Sequence, residues 1–159
     1  MATTLSSATM TVRVVESIKL NGTEQGAVNT KLVSGINEIS KRILTITTAE
    51  SVIATFSAAV ASAGHYVAAN VRYMRFTNKD DTNFITLTFR NQDNDEVAIK
   101  LDAGNSFMWS ADNSGGMVDV FNATQDADAA SDTALGDLTN IQAYANTGSC
   151  DLEMFIASV

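Results

Sequence analysis

Proline is absent from this 159-residue chain, and cysteine and histidine occur once each, as Cys150 and His65. A single cysteine excludes a disulfide framework within the chain, and one Cys with one His cannot supply the four ligands of a structural zinc site. Basic residues are also scarce, with 10 Lys and Arg against 18 Asp and Glu and a formal net charge of −8. Because nonspecific nucleic-acid binding depends on basic side chains that neutralise phosphates, this charge argues against a nucleic-acid partner.

Long apolar runs are missing as well. The longest weakly polar stretch, VIATFSAAVASA at residues 52–63, is interrupted by Thr55, Ser57 and Ser62 and is too short to span a bilayer. The first ten residues, MATTLSSATM, have neither the positive charge nor the apolar run of a secretory signal. We therefore expect a soluble chain without a membrane partner, whose length suits a single domain with its own core.

Catalytic and cofactor-binding motifs are not visible in the sequence. No phosphate-binding loop and no dinucleotide-binding glycine motif is present, and Gly115-Gly116 is typical of a turn. His65 has no second His or Cys nearby, so a surface histidine is expected instead of a metal ligand or general base. Cys150 falls in a strand pattern, which favours a buried, inert thiol over a nucleophile. We expect no enzymatic activity, no catalytic residues and no cofactor.

Apolar and polar residues alternate with a period of two along most of the chain, as in half-buried β-strands. The clearest segments are residues 70–77, 84–89, 96–101 and 151–159, separated by polar turn residues such as NKDD and NQDND. Asn21-Gly22 is a strong hairpin-turn signal, because both residues tolerate positive φ. About ten short strands predict an all-β fold: an antiparallel β-sandwich, jelly-roll-like, with at most short helical segments.

The predicted organisation is simple. Residues 1–10 are expected to form a flexible or partner-docked N-terminal arm, and residues 11–159 a single β-sandwich domain. Residues 117–121 are predicted to be a short strand, and residues 122–137 a surface loop, with one helical turn within it as the alternative. Whether residues 49–63 form a strand or a partial helix stays open, because Ala there is mixed with Ser, Thr and Val.

Acidic residues suggest one weak metal candidate. Asp126, Asp128, Asp132 and Asp137 occupy positions 1, 3, 7 and 12 of a twelve-residue window, as in a calcium loop. Position 6 is Ser131 instead of Gly, and the final position lacks the longer bidentate Glu. A solvated acidic surface is therefore the expectation, with calcium as the alternative. Asp93, Asp95 and Glu96 form a second acidic group in a predicted hairpin turn.

Aromatic and basic residues are interleaved in VRYMRF, residues 71–76. This pattern could serve as a stacking platform for single-stranded nucleic acid, but the acidic charge opposes that role. The expected alternative is a strand with Arg72 on one face and Arg75 on the other, each paired with a carboxylate. Tyr73 and Trp109 could contribute to a carbohydrate platform, although a single Trp in a β protein usually belongs to a core or interface.

Residues 71–109 and the closing CDLEMFIASV, residues 150–159, resemble small virion structural proteins of tailed bacteriophages, particularly those of marine and cyanobacterial phages. The similar elements are a strand with aromatic and basic residues, a polar turn, a second strand, a hairpin and a closing strand. In this chain these elements are Arg72 to Thr77, Asn78 to Phe84, Ile85 to Arg90, Glu96 to Phe107 and Leu152 to Ile156. The opening SIKLNGTEQG and GINEISKRILTI are similar to the N-terminal half of such proteins.

The resemblance implies a non-enzymatic particle component located in the virion. It implies homo-oligomerisation and contacts with other virion proteins, such as the major capsid protein or tail proteins. A capsid decoration (cement) subunit present in many copies is the favoured role. The alternatives are a tail, adaptor or fibre-base structural protein and, from a different class, a module that binds a host-surface glycan.

Overall fold

The computed structural model describes residues 6–59, 62–111, 114–124 and 135–159. Thirteen strands account for most of this part of the chain, and its one helical element is a single 3₁₀ turn at Ala68–Asn70. The strands are β1 (Ala8–Val15), β2 (Lys19–Leu20), β3 (Thr23–Glu24), β4 (Val28–Ile36), β5 (Glu38–Ile46), β6 (Ser51–Ser57), β7 (His65–Val67), β8 (Val71–Asn78), β9 (Ile85–Asn91), β10 (Glu96–Leu101), β11 (Ser106–Ser110), β12 (Leu138–Ala145) and β13 (Cys150–Ser158).

Nine of these strands form two sheets that face each other. One sheet has five strands in the order β10-β9-β12-β6-β7, and the other has four in the order β11-β8-β13-β5. All neighbouring strands are antiparallel except β6 and β7, which pair in parallel. The predicted all-β antiparallel sandwich is therefore confirmed, while the jelly-roll connectivity stays a prediction.

The core lies between the two sheets and follows the alternation seen in the sequence. In the central strands β9 and β13, alternate residues point inward, and the inward apolar side chains are at most 2% exposed. The inward sets are Ile85, Leu87 and Phe89 in β9, and Leu152, Met154 and Ile156 in β13. Phe76 of β8 meets Phe89 across the core in an edge-to-face contact, with ring centroids 6.2 Å apart. Burial of these apolar side chains is the main stabilisation of the sandwich.

The first four strands form a separate two-stranded ribbon. Strands β1 and β4 pair along their length, and β2 and β3 continue the hairpin towards its tip. Asn21 and Gly22 have φ angles of +49° and +80°, as the predicted two-residue hairpin turn requires. The base of the ribbon packs on the outer face of the four-stranded sheet, where Val33 and Ile36 are buried together with Tyr73 and Ala157.

The structure decides the open question of residues 49–63, corrects the strand predicted at residues 117–121 and assigns part of the predicted arm to β1. Residues 49–63 contain strand β6 and no helix among the described positions, since the apolar residues pack in a sheet next to β12. Residues 117–121 form no strand; they are a turn-rich segment in which only Phe121 makes a β-bridge, to Gly136. The predicted N-terminal arm overlaps β1, which begins at Ala8, so its last three residues belong to the ribbon.

Candidate docking surfaces

The ribbon carries an unusual share of exposed apolar side chains. Every residue from Val14 to Val28 except Gly26 is exposed. Six of the twelve large apolar side chains that are exposed in the described ranges belong to the ribbon. The six are Val14, Val15, Ile18, Leu20, Val28 and Leu32, and four of them are more than 55% exposed.

The two faces of the ribbon differ in what they contact. Met10 and Val12 face the body, and both are partly buried against the outer face of the sheet. On the opposite face of the ribbon, Val15 and Val28 are direct partners in the β1–β4 register and face away from the body, 58% and 53% exposed. A two-stranded hairpin is at best marginally stable alone in water, and contact with a third surface stabilises it. Residues 14–28, the distal ribbon, are therefore a candidate docking element.

The ribbon's path across the body fixes where its tip lies. Strand β4 leads directly into β5 at one edge of the four-stranded sheet. From there the ribbon runs over β13 and β8, and residues 10–13 share a groove with Phe155, Tyr73 and Met108. The Lys31 Nζ then donates to the carbonyl oxygen of Ala111, which follows β11 at the opposite edge, at 3.5 Å. The tip consequently lies beyond the β11 edge.

A second apolar surface lies at the β5 edge of the same sheet. Ile39 and Ile43 lie on the outer face of β5, with Lys41 between them on the same face, and are 59% and 65% exposed. Their partners on β13 are Ala157 and Glu153. Strand β5 pairs with β13 on one side only, so its other edge has no strand partner among the residues that the structure describes. Open sheet edges are common sites of strand addition by partner chains.

Charged residues on this outer face form one network. Arg75 on β8 donates to the Glu153 carboxylate on β13, and the Lys41 Nζ lies 3.5 Å from the other Glu153 oxygen. The hydrogen bond from Arg75, assisted by both positive charges, holds the pKa of Glu153 below its ordinary value of 4.5. The prediction that Arg75 pairs with a carboxylate is thus confirmed.

This network predicts a defined pH dependence. Because the pKa of Glu153 is lowered in the folded chain, its stabilising contribution is complete above about pH 4.5 and is lost as the pH falls through the lowered pKa. We expect Glu153→Gln to lower the free energy of unfolding at neutral pH, and we expect this difference from the wild type to shrink below pH 4.5. Urea unfolding of both proteins across that range measures the effect.

The matched control is Glu96→Gln, since the Glu96–Arg90 ion pair joins side chains that are 45% and 38% exposed. Exposed pairs contribute little, so this variant should stay close to the wild type throughout. A difference between wild type and Glu153→Gln that stays constant from neutral pH to below pH 4 would contradict the assignment.

A third surface is an apolar cleft between the sheets. Strands β10 and β11 are edge strands of opposite sheets, and a cleft of about 220 Å³ opens between them. Phe89 lies at its base, in ring contact with Phe107 and Trp109 at centroid distances of 5.3 and 5.6 Å. The other lining residues are Val97, Ile99, Met108 and Phe121. These contacts place Trp109 in the margin of the core, so its first role is packing.

The structure confirms the expected packing role of Trp109 and corrects the carboxylate partner predicted for Arg72. Tyr73 packs beneath the ribbon on the outer face of the sheet, whereas Trp109 packs on the inner face, so the two rings form no common platform. Arg72 is 7% exposed and pairs with no carboxylate among the described residues. Its guanidinium instead donates to the carbonyl oxygens of Ala69, at 2.6 Å, and Val71. A stacking platform for nucleic acid is therefore not assembled on this strand.

The single cysteine and the single histidine of the chain lie apart in the fold. Cys150 is buried at the start of β13, as expected, and burial together with the nearby Asp80 carboxylate raises the pKa of its thiol. His65 begins β7 and lines an open groove with Arg42 between the sheets, at the edge opposite the apolar cleft. The Cys150 side chain hydrogen-bonds to the Asp80 carboxylate, and no side-chain hydrogen bond joins Cys150 to His65 in the described ranges, so these two residues form no catalytic pair there.

The calcium candidate is only partly covered by the structure. Asp126, Asp128 and Asp132 lie outside the described residues, so calcium binding there stays a prediction. Asp137 is described, and its carboxylate accepts the backbone N–H of Asp119 at 3.0 Å. In the part of the chain that the structure covers, no group of three or more His, Cys, Asp or Glu side chains is arranged to hold a metal ion.

The exposed apolar ribbon is the feature that sequence reasoning missed. Its signal was present, since Val14, Val15, Ile18 and Leu20 stand close to the Asn21-Gly22 turn, but the pattern was interpreted as part of the sandwich. Among the described residues, no helix has the length and hydropathy that crossing a membrane requires. Comparison with known proteins adds no assignment, because no family model and no curated protein matches the chain.

Proposed function

We propose that this chain is a non-enzymatic structural subunit of a bacteriophage virion, and within the particle a capsid decoration subunit present in many copies. The observation that carries the proposal is the ribbon of residues 8–36, whose distal half exposes aliphatic side chains beyond the body. Contiguous exposed apolar surface of this kind marks a site of protein–protein contact. A rigid sandwich with a projecting docking element suits a protein that attaches repeatedly to neighbouring subunits.

The order of the strands supports a jelly-roll body, which we include in the proposal. One sheet holds β5, β13, β8 and β11 in spatial order, and the facing sheet holds β6, β12, β9 and β10, with the short β7 added at its edge. Following the chain, consecutive strands switch sheets except at the β9–β10 hairpin and at the added β7. Eight antiparallel strands distributed over two sheets in this way are typical of jelly rolls, a fold common in capsid proteins.

The experiment that tests this proposal is quantitative mass spectrometry of purified, intact phage particles from a host culture that produces the chain. A decoration subunit should occur at a copy number close to that of the major capsid protein, or at a simple fraction of it. It should also remain with DNA-filled heads after the tails are removed. Recovery only in the soluble fraction of infected cells would contradict any virion role.

The alternatives give different results in the same experiment. A tail, adaptor or fibre-base protein would occur in a small number of copies and separate with the tails. That result would contradict the proposed position on the capsid but would still support a structural role in the virion. A glycan-binding module would be retained selectively by one sugar on a glycan array. The separation of Tyr73 from Trp109 removes the aromatic platform that would have favoured that role.

A further inference from the structure

We propose that the distal ribbon of one copy docks on the β5 end of the outer sheet face of a second copy. In this interface the donor is the ribbon tip, with Ile18 and Leu20, and the acceptor is the pair Ile39 and Ile43 beside the open edge of β5. The proposed contact joins two copies of this chain and needs no other protein. It is therefore independent of whether the chain is carried on a phage particle.

The donor tip and the acceptor pair lie at opposite edges of the same sheet. The donor tip lies beyond the β11 edge of the four-stranded sheet, because Lys31 already reaches Ala111 and the tip lies further along the ribbon. The acceptor pair lies on β5, at the other edge of the same sheet. A chain cannot bring its own tip to its own acceptor across three intervening strands. A second copy placed beside the first presents its β5 end to that tip.

The two surfaces match in their apolar character. Ile18 and Leu20 are 56% and 61% exposed at the tip, and Ile39 and Ile43 are exposed to a similar degree on β5. Each pair is aliphatic, and none of the described residues covers either pair. Contact between the two pairs removes both from water at once, and it supplies the third surface that a two-stranded ribbon needs for stability.

The ribbon and the rest of the chain carry net charges of opposite sign. The ribbon, residues 8–36, carries three basic and two acidic side chains and so a net charge of +1, whereas residues 37–159 carry seven basic and sixteen acidic side chains and a net charge of −9. Arg13 and Lys19 form no ion pair with any residue that the structure describes. A basic ribbon is attracted to the acidic body of another copy, which favours this encounter over contact between two bodies.

The arrangement has a consequence for symmetry. Donor and acceptor are different surfaces, so the contact is head-to-tail, and each copy uses one of each. Head-to-tail contacts form a closed ring where the rotation closes. We therefore expect a cyclic oligomer in solution.

The test is size-exclusion chromatography with light scattering on the full chain. The wild type should run as a closed oligomer, whereas Leu20→Asp and Ile43→Asp should each weaken association by roughly 30-fold or more, because either places a charge in the apolar contact. Tyr144→Asp is the matched control, since Tyr144 is a 37% exposed aromatic residue on the outer face of β12 in the other sheet, away from both surfaces. It should leave the oligomer intact. Circular dichroism checks that all variants fold.

Mixing the two defective variants makes the test specific. Leu20→Asp retains a working acceptor and Ile43→Asp retains a working donor, so the mixture should form a complex with one copy of each. Complex formation in the mixture, with monomers in the separate samples, supports the head-to-tail contact. A wild type that stays monomeric at roughly 100 µM would overturn the proposal. So would an oligomer that Ile43→Asp leaves unchanged.

Discussion

Replacing Phe89 with Ala is expected to lower the free energy of unfolding by about 3–5 kcal/mol. Phe89 is 2% exposed, and its ring contacts Phe76, Phe107 and Trp109. Removing the ring eliminates apolar burial and leaves a cavity that three remaining aromatic side chains can fill only partly. Because the cavity would open towards the cleft between β10 and β11, we also expect a change in Trp109 fluorescence of the folded variant.

Urea unfolding followed by circular dichroism measures the loss in stability. Val97→Ala is the matched control: Val97 lines the same cleft but is 38% exposed, so a loss of at most about 1 kcal/mol is expected. Equal losses in the two variants would contradict the assignment of Phe89 to the centre of the core.

Replacing Asn91 with Ala is expected to lower the free energy of unfolding by about 2–4 kcal/mol, a large effect for a residue in a polar turn. Its side chain is 1% exposed and makes four hydrogen bonds. The amide nitrogen donates to the Asp95 carboxylate and to the Phe121 carbonyl oxygen, at 3.1 and 3.0 Å. The amide oxygen accepts the backbone N–H groups of Asp93 and Asp95, both at 2.9 Å. Alanine would leave these partners without their hydrogen bonds.

The adjacent Gln92 provides the control, since its side chain is exposed and Gln92→Ala keeps the backbone bond to Asp137. We expect a change within about 0.5 kcal/mol for that variant. Thermal unfolding of Asn91→Ala, Gln92→Ala and the wild type under identical conditions decides between them. If Asn91→Ala and Gln92→Ala have the same melting temperature, the Asn91 side chain does not organise the turn.

Local patterns were sufficient for much of the body. The alternation in EVAIKL marked β10 at its observed bounds, and FITLTF and the closing segment marked β9 and β13 to within two residues. Alternation predicts these strands because a sheet with one buried face imposes a period of two on its sequence. Asn21-Gly22 predicted its turn for an equally local reason, since few other residue pairs adopt two positive φ angles.

Features that depend on distant partners were not predictable in this way. The sequence alone does not say that the ribbon leaves the sandwich, because alternation identifies strands but not the sheet to which they belong. The separation of Tyr73 from Trp109 likewise depends on the opposite parity of the two residues across the β8–β11 register. Arg72 bonds to backbone carbonyls because it lies near the end of the sandwich, a position that composition does not reveal.

Asn91 illustrates the same limit at the scale of one residue. The sequence NQDND indicates a turn correctly, and Asn94 there has a φ angle of +66°. The burial of Asn91, however, comes from Phe121 and Gly136, which arrive from 30 and 45 positions later in the chain. Turn propensity therefore identified the location of this residue but not its contribution to stability.

Both proposals depend on the distal ribbon, residues 14–28, acting as an assembly element. The most direct test is an electron cryomicroscopy map of the assembled phage particle at a resolution that separates β-strands. We expect Ile18 and Leu20 to lie against the β5 end of a neighbouring copy and to be withdrawn from solvent. A ribbon that projects freely into solvent in every copy would contradict this assignment.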